Sequence, residues 1–253
     1  MRAAIIGGTG VYGIGQAVEK EVQTQYGSVT VDIVTVEGKE IIFLPRHGKG
    51  HGLPPHMINY RANMMALKEL EVTHVLATCA VGSCNDSMAP GDVMVIKDFL
   101  DFTKARPITF YDGGDGVFHT DVSDIYCSDL RTNFHQIAND FDIDVKGEGV
   151  YVCTEGPRFE TASEIQFYKQ IGGDVVGMTN VPESVLAKEL NMCYAAVGIV
   201  TNWCTGVSGD IVMHDIQGAM KANKEKVTQA FISILTNKDN QDACACTRAV
   251  MAL

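Results

Sequence analysis

The chain has 253 residues, 46% of them hydrophobic and 20% charged, which supplies a full core for one large α/β unit and argues against disorder. A net charge of −11 argues against nucleic acid or an anionic membrane as the main partner, while leaving room for a small anion held by local Arg, His and backbone N–H groups. No apolar run reaches the length of a membrane span, and the opening stretch is broken by glycine too early for a signal peptide, so the expected location is cytoplasmic.

Strand and helix signals alternate along the chain. Residues 3–7 read as a first buried strand, ending in Gly7-Gly8-Thr9-Gly10. Residues 29–36 and 41–44 are β-rich and joined by a Glu37-Gly38-Lys39-Glu40 hairpin turn. Residues 59–70 carry Met64, Met65, Leu67 and Leu70 on a helix face; 73–81 and 91–102 read as strands. Residues 108–120 contain Gly113, Gly114 and Gly116 and read as a mobile loop. A helix over 129–141, a strand over 145–153, a helix over 161–171 and a short strand over 174–179 follow. Thr161 with Glu164 forms a capping-box pattern, and Pro182 suits the first turn of a helix over 182–190. A very apolar strand over 192–200 and a closing helix over 215–235 complete the pattern. The expected fold is a single α/β domain over 1–253, three-layer α/β/α with a central mixed sheet, because the early hairpin rules out a purely parallel one. Residues 237–253 are expected to form a loose tail.

Several strand ends carry chemistry. The Gly7–Gly10 turn can form an anion-binding nest with the Thr9 hydroxyl as an added donor. The window from Gly8 to Gly13 also matches the dinucleotide fingerprint, but Gly13 and Gly15 weaken the required helix, and Asp32 falls mid-strand instead of at a strand tip. A dinucleotide-dependent oxidoreductase is therefore the rival from a different class. Arg46 and His47, in a glycine-rich turn after the hairpin, suit phosphate. Thr78–Ser83, Gly177–Glu183 and Thr201–Gly206 end further strands, where open α/β sheets bind ligands. In Glu155–Glu164 an aromatic face and a carboxylate share a strand-to-helix loop, which suits a flat ligand with N–H donors on its edge. Of eight cysteines, six are scattered and read as small hydrophobes, and none of the Cys/His spacings matches a structural zinc site. Cys244-Ala-Cys246 is compatible with a local disulfide, a bridge between subunits, or no special role.

In this order, GGTG, RHG, NYRAN, EGPRFE and GMTNVPE resemble the trimeric purine nucleoside phosphorylase and methylthioadenosine phosphorylase family over nearly the whole chain. The resemblance implies phosphorolysis of a purine nucleoside to base and ribose 1-phosphate, with phosphate as co-substrate and no cofactor or metal. It implies that Thr9, Arg46, His47, Ala80 (through its backbone N–H) and Thr179 hold phosphate, that Met178 packs on the ribose and that Phe159 stacks along the base. Where Cys79 stands, members often carry a hydroxyl. It further implies a homo-oligomer, with a trimer favoured and a hexamer as second choice.

Two positions bear on the base. Members acting on 6-aminopurines carry aspartates where Asn202 and Cys204 stand; members acting on 6-oxopurines carry Asn at the first and Glu where Glu160 stands. A carboxylate matches the N1–H of a 6-oxopurine and repels adenine N1, so inosine and guanosine are the expected substrates. In that family a His at the start of the last helix meets the 5′-hydroxyl, and the resemblance implies this role for His214. His119 lies in a segment that covers the same pocket of a neighbouring subunit in methylthio enzymes. The alternative is therefore a methylthioinosine or methylthioadenosine phosphorylase.

Overall fold

The computed structural model describes residues 2–7, 17–114, 116–208, 213–237 and 244–253; side chains at 51, 213–217, 219, 220 and 222 lie outside the description. Strand β1 (Arg2–Gly7) is followed by β2 (Ala17–Thr24), β3 (Gly27–Val36) and β4 (Lys39–Pro45). Glu37 and Gly38 both take positive φ, as a two-residue hairpin turn requires. Helix α1 (Tyr60–Glu69), β5 (Val72–Ser83), β6 (Val93–Phe102), β7 (Phe118–Thr120), α2 (Ser128–Ile137) and β8 (Val145–Thr154) follow. Then come α3 (Ala162–Gln170), β9 (Val175–Gly177), α4 (Asn180–Glu189), β10 (Cys193–Trp203), α5 (Met213–Thr236) and β11 (Val250–Ala252). No helix among the described residues is long and apolar enough to cross a membrane.

Nine strands form one mixed sheet in the order β10-β6-β8-β9-β5-β1-β4-β3-β2, and β10 also pairs with β5. Strands β5, β10, β6, β8 and β9 thus close into a ring, while β1, β4, β3 and β2 extend from β5 as an open flank. Alternation along the strands feeds two cores. Ala4, Ile6, Ile42 and Leu44 face α1 and α4, whereas Ala3, Ile5, Ile41 and Phe43 face α2 and α5. The single domain with a three-layer mixed sheet is thus as the sequence predicts; the ring is an addition that periodicity does not encode.

Three local expectations change. Strand β2 has no counterpart in the sequence reading because it is an edge strand in which only Val22 is buried, so it lacks a strong apolar alternation. The 108–120 segment is tied down over its described residues: Thr109 Oγ1 and Phe110 N donate to the Glu189 carboxylate at 2.7 and 2.8 Å, and Tyr111 stacks on Phe118. The tail expected to be loose packs over its described part, with Cys246 and Ala249 buried and β11 paired antiparallel to β7.

The cysteines also depart from the scattered pattern. Cys127 caps α2, and its backbone N–H donates to Tyr194 O at 2.7 Å, which draws the start of α2 onto the start of β10. The returning tail adds Cys244 and Cys246, and the sulfurs of Cys127, Cys193, Cys244 and Cys246 all lie within 4.8 Å of one another. Sequence spacing hid the group because its members come from three distant stretches.

One buried pair ties the flank to α4. Arg46, just past β4, sends Nε and Nη2 to the two oxygens of Glu183 at 2.6 and 2.7 Å, and Nη1 to Thr78 O at 2.9 Å. Both side chains are almost fully buried. Burial opposes the guanidinium charge, but the Glu183 carboxylate outweighs it and holds the Arg46 pKa above its usual value. Glu183→Gln leaves that charge uncompensated, so a loss of about 3–5 kcal/mol is expected, with Arg46→Met/Glu183→Leu regaining most of it. Urea unfolding midpoints at unchanged m-value check this; a Glu183→Gln midpoint equal to wild type contradicts it.

Candidate active site

Where the open flank leaves the ring, the sheet splits. Strand β1 pairs with β5 as far as Ala77, and β9 pairs with β5 only from Gly82. Residues 78–81 therefore have no strand on that side among the described residues, and their backbone groups must find other partners. Arg46 takes the Thr78 carbonyl. Ala80 is exposed between buried Cys79 and Val81, so it faces the opening.

The wall beside this gap is the start of α4. Thr179 caps the helix and is buried; its backbone N–H donates to the Tyr151 hydroxyl at 3.1 Å. Fully buried Asn180 receives the Tyr126 hydroxyl at 2.7 Å and donates to Cys79 Sγ at 2.7 Å. Burial pushes the Cys79 thiol up, so it serves this network as a neutral group. Tyr194 donates its hydroxyl to Glu183 at 2.7 Å. From the other side, Asn63 Nδ2 holds Arg46 O at 3.2 Å, and Asn59 caps α1 through the Ala62 N–H at 3.0 Å. His47 is buried, and its Nδ1–H donates to Leu53 O at 2.8 Å, which turns Nε2 away from that carbonyl.

Next to Thr179 the β8 exit loop crosses the site. Gly156 takes φ +65°, and a side chain there would meet Met178 Sδ at 2.6 Å, so half-buried Met178 rests directly on the loop backbone. The loop is anchored by Arg106. Its Nη1 donates to Tyr60 Oη at 3.1 Å and Val181 O at 2.7 Å, and its Nη2 to Thr154 O at 3.1 Å and Glu155 O at 2.8 Å. Arg106 thereby joins α1, β8 and α4. Arg158 pairs with Glu164 at 2.7 and 2.8 Å, Glu164 completes the Thr161 capping box, and Glu155 accepts from the Lys104 N–H at 2.6 Å, so Arg158 and Glu155 scaffold the loop.

At the loop's far end, Phe159 is 46% exposed and Glu160 is 9% exposed. Glu160 Oε1 accepts the Thr154 hydroxyl at 2.6 Å, which fixes the carboxylate plane. Opposite, β10 slips register against β5 between Val200 and Asn202, a bulge at Thr201 that re-aims the residues after it. The single Thr201 hydroxyl proton is shared between Asn202 Oδ1 at 2.9 Å and Val81 O at 3.2 Å, while Asn202 Nδ2 donates to Trp203 O at 2.8 Å. The carbonyl of Trp203 can only accept, so it fixes the amide orientation and leaves Nδ2 with a second N–H to offer. A side chain on Gly82 would sit 2.8 Å from Cys204 Sγ and 3.2 Å from Asn202 Nδ2, and one on Gly206 2.7 Å from Ala162 Cβ. The β10 exit therefore closes against both β5 and the base of the β8 loop. Burial, Cys84 and then the nearby Glu160 push the Cys204 thiol up, keeping it neutral beside that carboxylate.

Arg46, His47, Ala80, Thr179, Met178, Phe159, Glu160 and Asn202 thus lie on one continuous set of strand ends and loops. Thr9 lies outside the described residues, as does the side chain of His214. His119 is not brought to the group within one chain. It sits exposed on β7, beside the Glu189 end of α4, roughly 15 Å along the helix from Thr179. Sequence reading missed Glu183 as the partner of Arg46, and missed Arg106 altogether. Glu183 stands in GMTNVPE and offered a signal, whereas Arg106 had none beyond being an Arg before a Pro.

The profile of the Phosphorylase superfamily matches residues 2–236. The 6-oxopurine nucleoside phosphorylase of Pyrococcus furiosus is 44% identical, over 98% of this chain and 97% of its own. The S-methyl-5′-thioadenosine phosphorylase of the same organism is 42% identical, over 97% and 96%. The structure of methylthioadenosine phosphorylase from Schistosoma mansoni in complex with adenine superposes with a TM-score of 0.87 at 32% identity, covering 94% of this chain and 93% of the other. On the split sheet, the strand-end site and this full-length similarity together, the chain belongs to the phosphorylase superfamily.

Proposed function

We propose that the chain is a purine nucleoside phosphorylase acting on 6-oxopurine nucleosides, inosine and guanosine, with phosphate as co-substrate and no cofactor. The observation that carries this reading is the buried Glu160 carboxylate, fixed by Thr154 and close enough to the β10 exit to act on Cys204, two residues past Asn202. A carboxylate accepts from the N1–H of a 6-oxopurine, and the free N–H of Asn202 Nδ2 matches N7 or O6. Adenine reverses the demand at N1.

In this scheme phosphate lies at the sheet split, held by Thr9, Arg46, His47, the Ala80 N–H and Thr179. The Arg46–Glu183 pair is neutral as a unit, so Arg46 orients phosphate through the second N–H on each terminal nitrogen and contributes little net charge. The C1′–N9 bond breaks with its electron pair passing to the purine, Asn202 and Glu160 hold the developing charge and N1–H, and a phosphate oxygen bonds to C1′ with inversion. The purine anion takes up the proton that hydrogen phosphate gives up on forming the ester, so the products are the free base and ribose 1-phosphate. Positioning and electrostatic stabilisation at both ends of the broken bond carry the rate. Phe159 covers the base, Met178 the ribose, and His214 meets the 5′-hydroxyl. We place the enzyme in the cytoplasm as a homotrimer, in which a neighbour supplies His119. Exposed Val117, Met251 and Leu253 beside β7 support burial of that segment against another chain.

The second reading, a methylthioinosine or methylthioadenosine phosphorylase, is favoured by that same exposed β7 segment. Initial rates with inosine, guanosine, adenosine and both methylthio nucleosides, with and without phosphate, separate the two. Phosphate-dependent turnover of inosine and guanosine above the rest is expected; preference for a methylthio substrate selects the second reading, and NAD(P) reduction without phosphate uptake selects the oxidoreductase. Asn202→Ala is expected to lower kcat/KM for inosine by the equivalent of about 2–4 kcal/mol, the scale of a lost oxyanion-hole donor. Asn202→Asp is expected to move preference toward adenosine, and unchanged base selectivity contradicts the assigned base edge.

A further inference from the structure

Four sulfurs converge at the opposite end of β10 from Asn202. Cys127 caps α2, Cys193 opens β10, and Cys244 and Cys246 come from the returning tail. Cys127, Cys193 and Cys246 are buried, and all four Sγ atoms lie within 4.8 Å of one another. Cys193 Sγ and Cys244 Sγ are 3.3 Å apart. A disulfide needs about 2.05 Å between its sulfurs. A tetrahedral site with Zn–S bonds of about 2.3 Å spaces its sulfurs by about 3.8 Å, which falls within this spread.

The surroundings point the same way. Lys188 is buried, and its Nζ donates to Asp124 O at 2.5 Å and lies 3.7 Å from Cys246 Sγ. A buried ammonium calls for a negative partner. The Asp121 carboxylate already acts on Lys188 from one side; four thiolates around a divalent ion carry a net charge of minus two and add a second, buried negative partner, which neutral paired disulfides do not. A ligand set made only of thiolates selects zinc among the common divalent ions, and four protein ligands leave no open position, so the site is structural.

We propose that Cys127, Cys193, Cys244 and Cys246 bind one zinc ion as a closed tetrathiolate site that staples the C-terminal strand β11 to α2 and β10. Binding releases the thiol protons and adds the metal's affinity to the stability of the tail. This proposal is independent of the nucleoside reading.

The test is metal analysis of the full chain, produced with zinc in the medium, purified under reducing conditions and desalted. One zinc per chain is expected, falling to near zero in Cys244→Ser/Cys246→Ser. A second measurement does not depend on the variant folding: the wild-type chain, stripped by chelator and kept reduced, is titrated with cobalt(II). The visible absorption of a tetrahedral cobalt–thiolate centre, saturating at one equivalent and bleached by zinc, is expected. The proposal is overturned by metal-free protein that gives no such spectrum, whether intact mass then shows disulfides or free thiols. It is also overturned if the double variant retains a full equivalent of zinc.

Discussion

The Arg46–Glu183 pair is the constraint on which the site depends. It joins the end of β4 to the first turn of α4 across the point where the sheet splits, with both charges removed from water. Such a pair stabilises little by itself, because desolvation offsets most of the attraction, but once formed it tolerates no loss of either partner. Its value is geometric. With Glu183 fixed by Arg46 and Tyr194, the helix start that carries Thr179 and Asn180 cannot drift from the end of β5.

A second anchor works on the other half of the site. Arg106 reaches four oxygens on three elements and fixes the β8 exit loop against the same helix start. In the proposed scheme the ends assigned to phosphate and to the base are thus referenced to one element, α4. A reaction in which one bond breaks as another forms on the opposite face of a sugar needs this common reference, since small displacements at either end are costly.

Much of this was legible in the sequence, and the reasons differ by residue. Strands β1, β5 and β10, and β8 from Gly149 onward, announce themselves as apolar runs because they are covered on both faces over most of their length. The Thr161–Glu164 capping box is local, so spacing alone gives it. The strand-end residues Arg46, Thr179, Glu160 and Asn202 were singled out because open α/β sheets bind ligands at the carboxyl ends of their strands, and the family resemblance supplied the role expected of each. Long-range convergence was not legible. The ring closure of β10 on β5, the Glu183 partnership, Arg106 and the four-cysteine group all join stretches far apart in sequence, and periodicity carries no information about which distant ends meet. Edge strand β2 was missed for the opposite reason, since its exposed charges resemble loop composition.

The central claim is that one site transfers a ribosyl group from a 6-oxopurine to phosphate. Phosphorus NMR of the purified chain with inosine and inorganic phosphate tests it most directly. The account predicts that phosphate is consumed one-for-one with inosine and appears as the α-anomer of ribose 1-phosphate, the product of inversion. Release of free ribose with phosphate unchanged, formation of the β-anomer, or no turnover of inosine would contradict it.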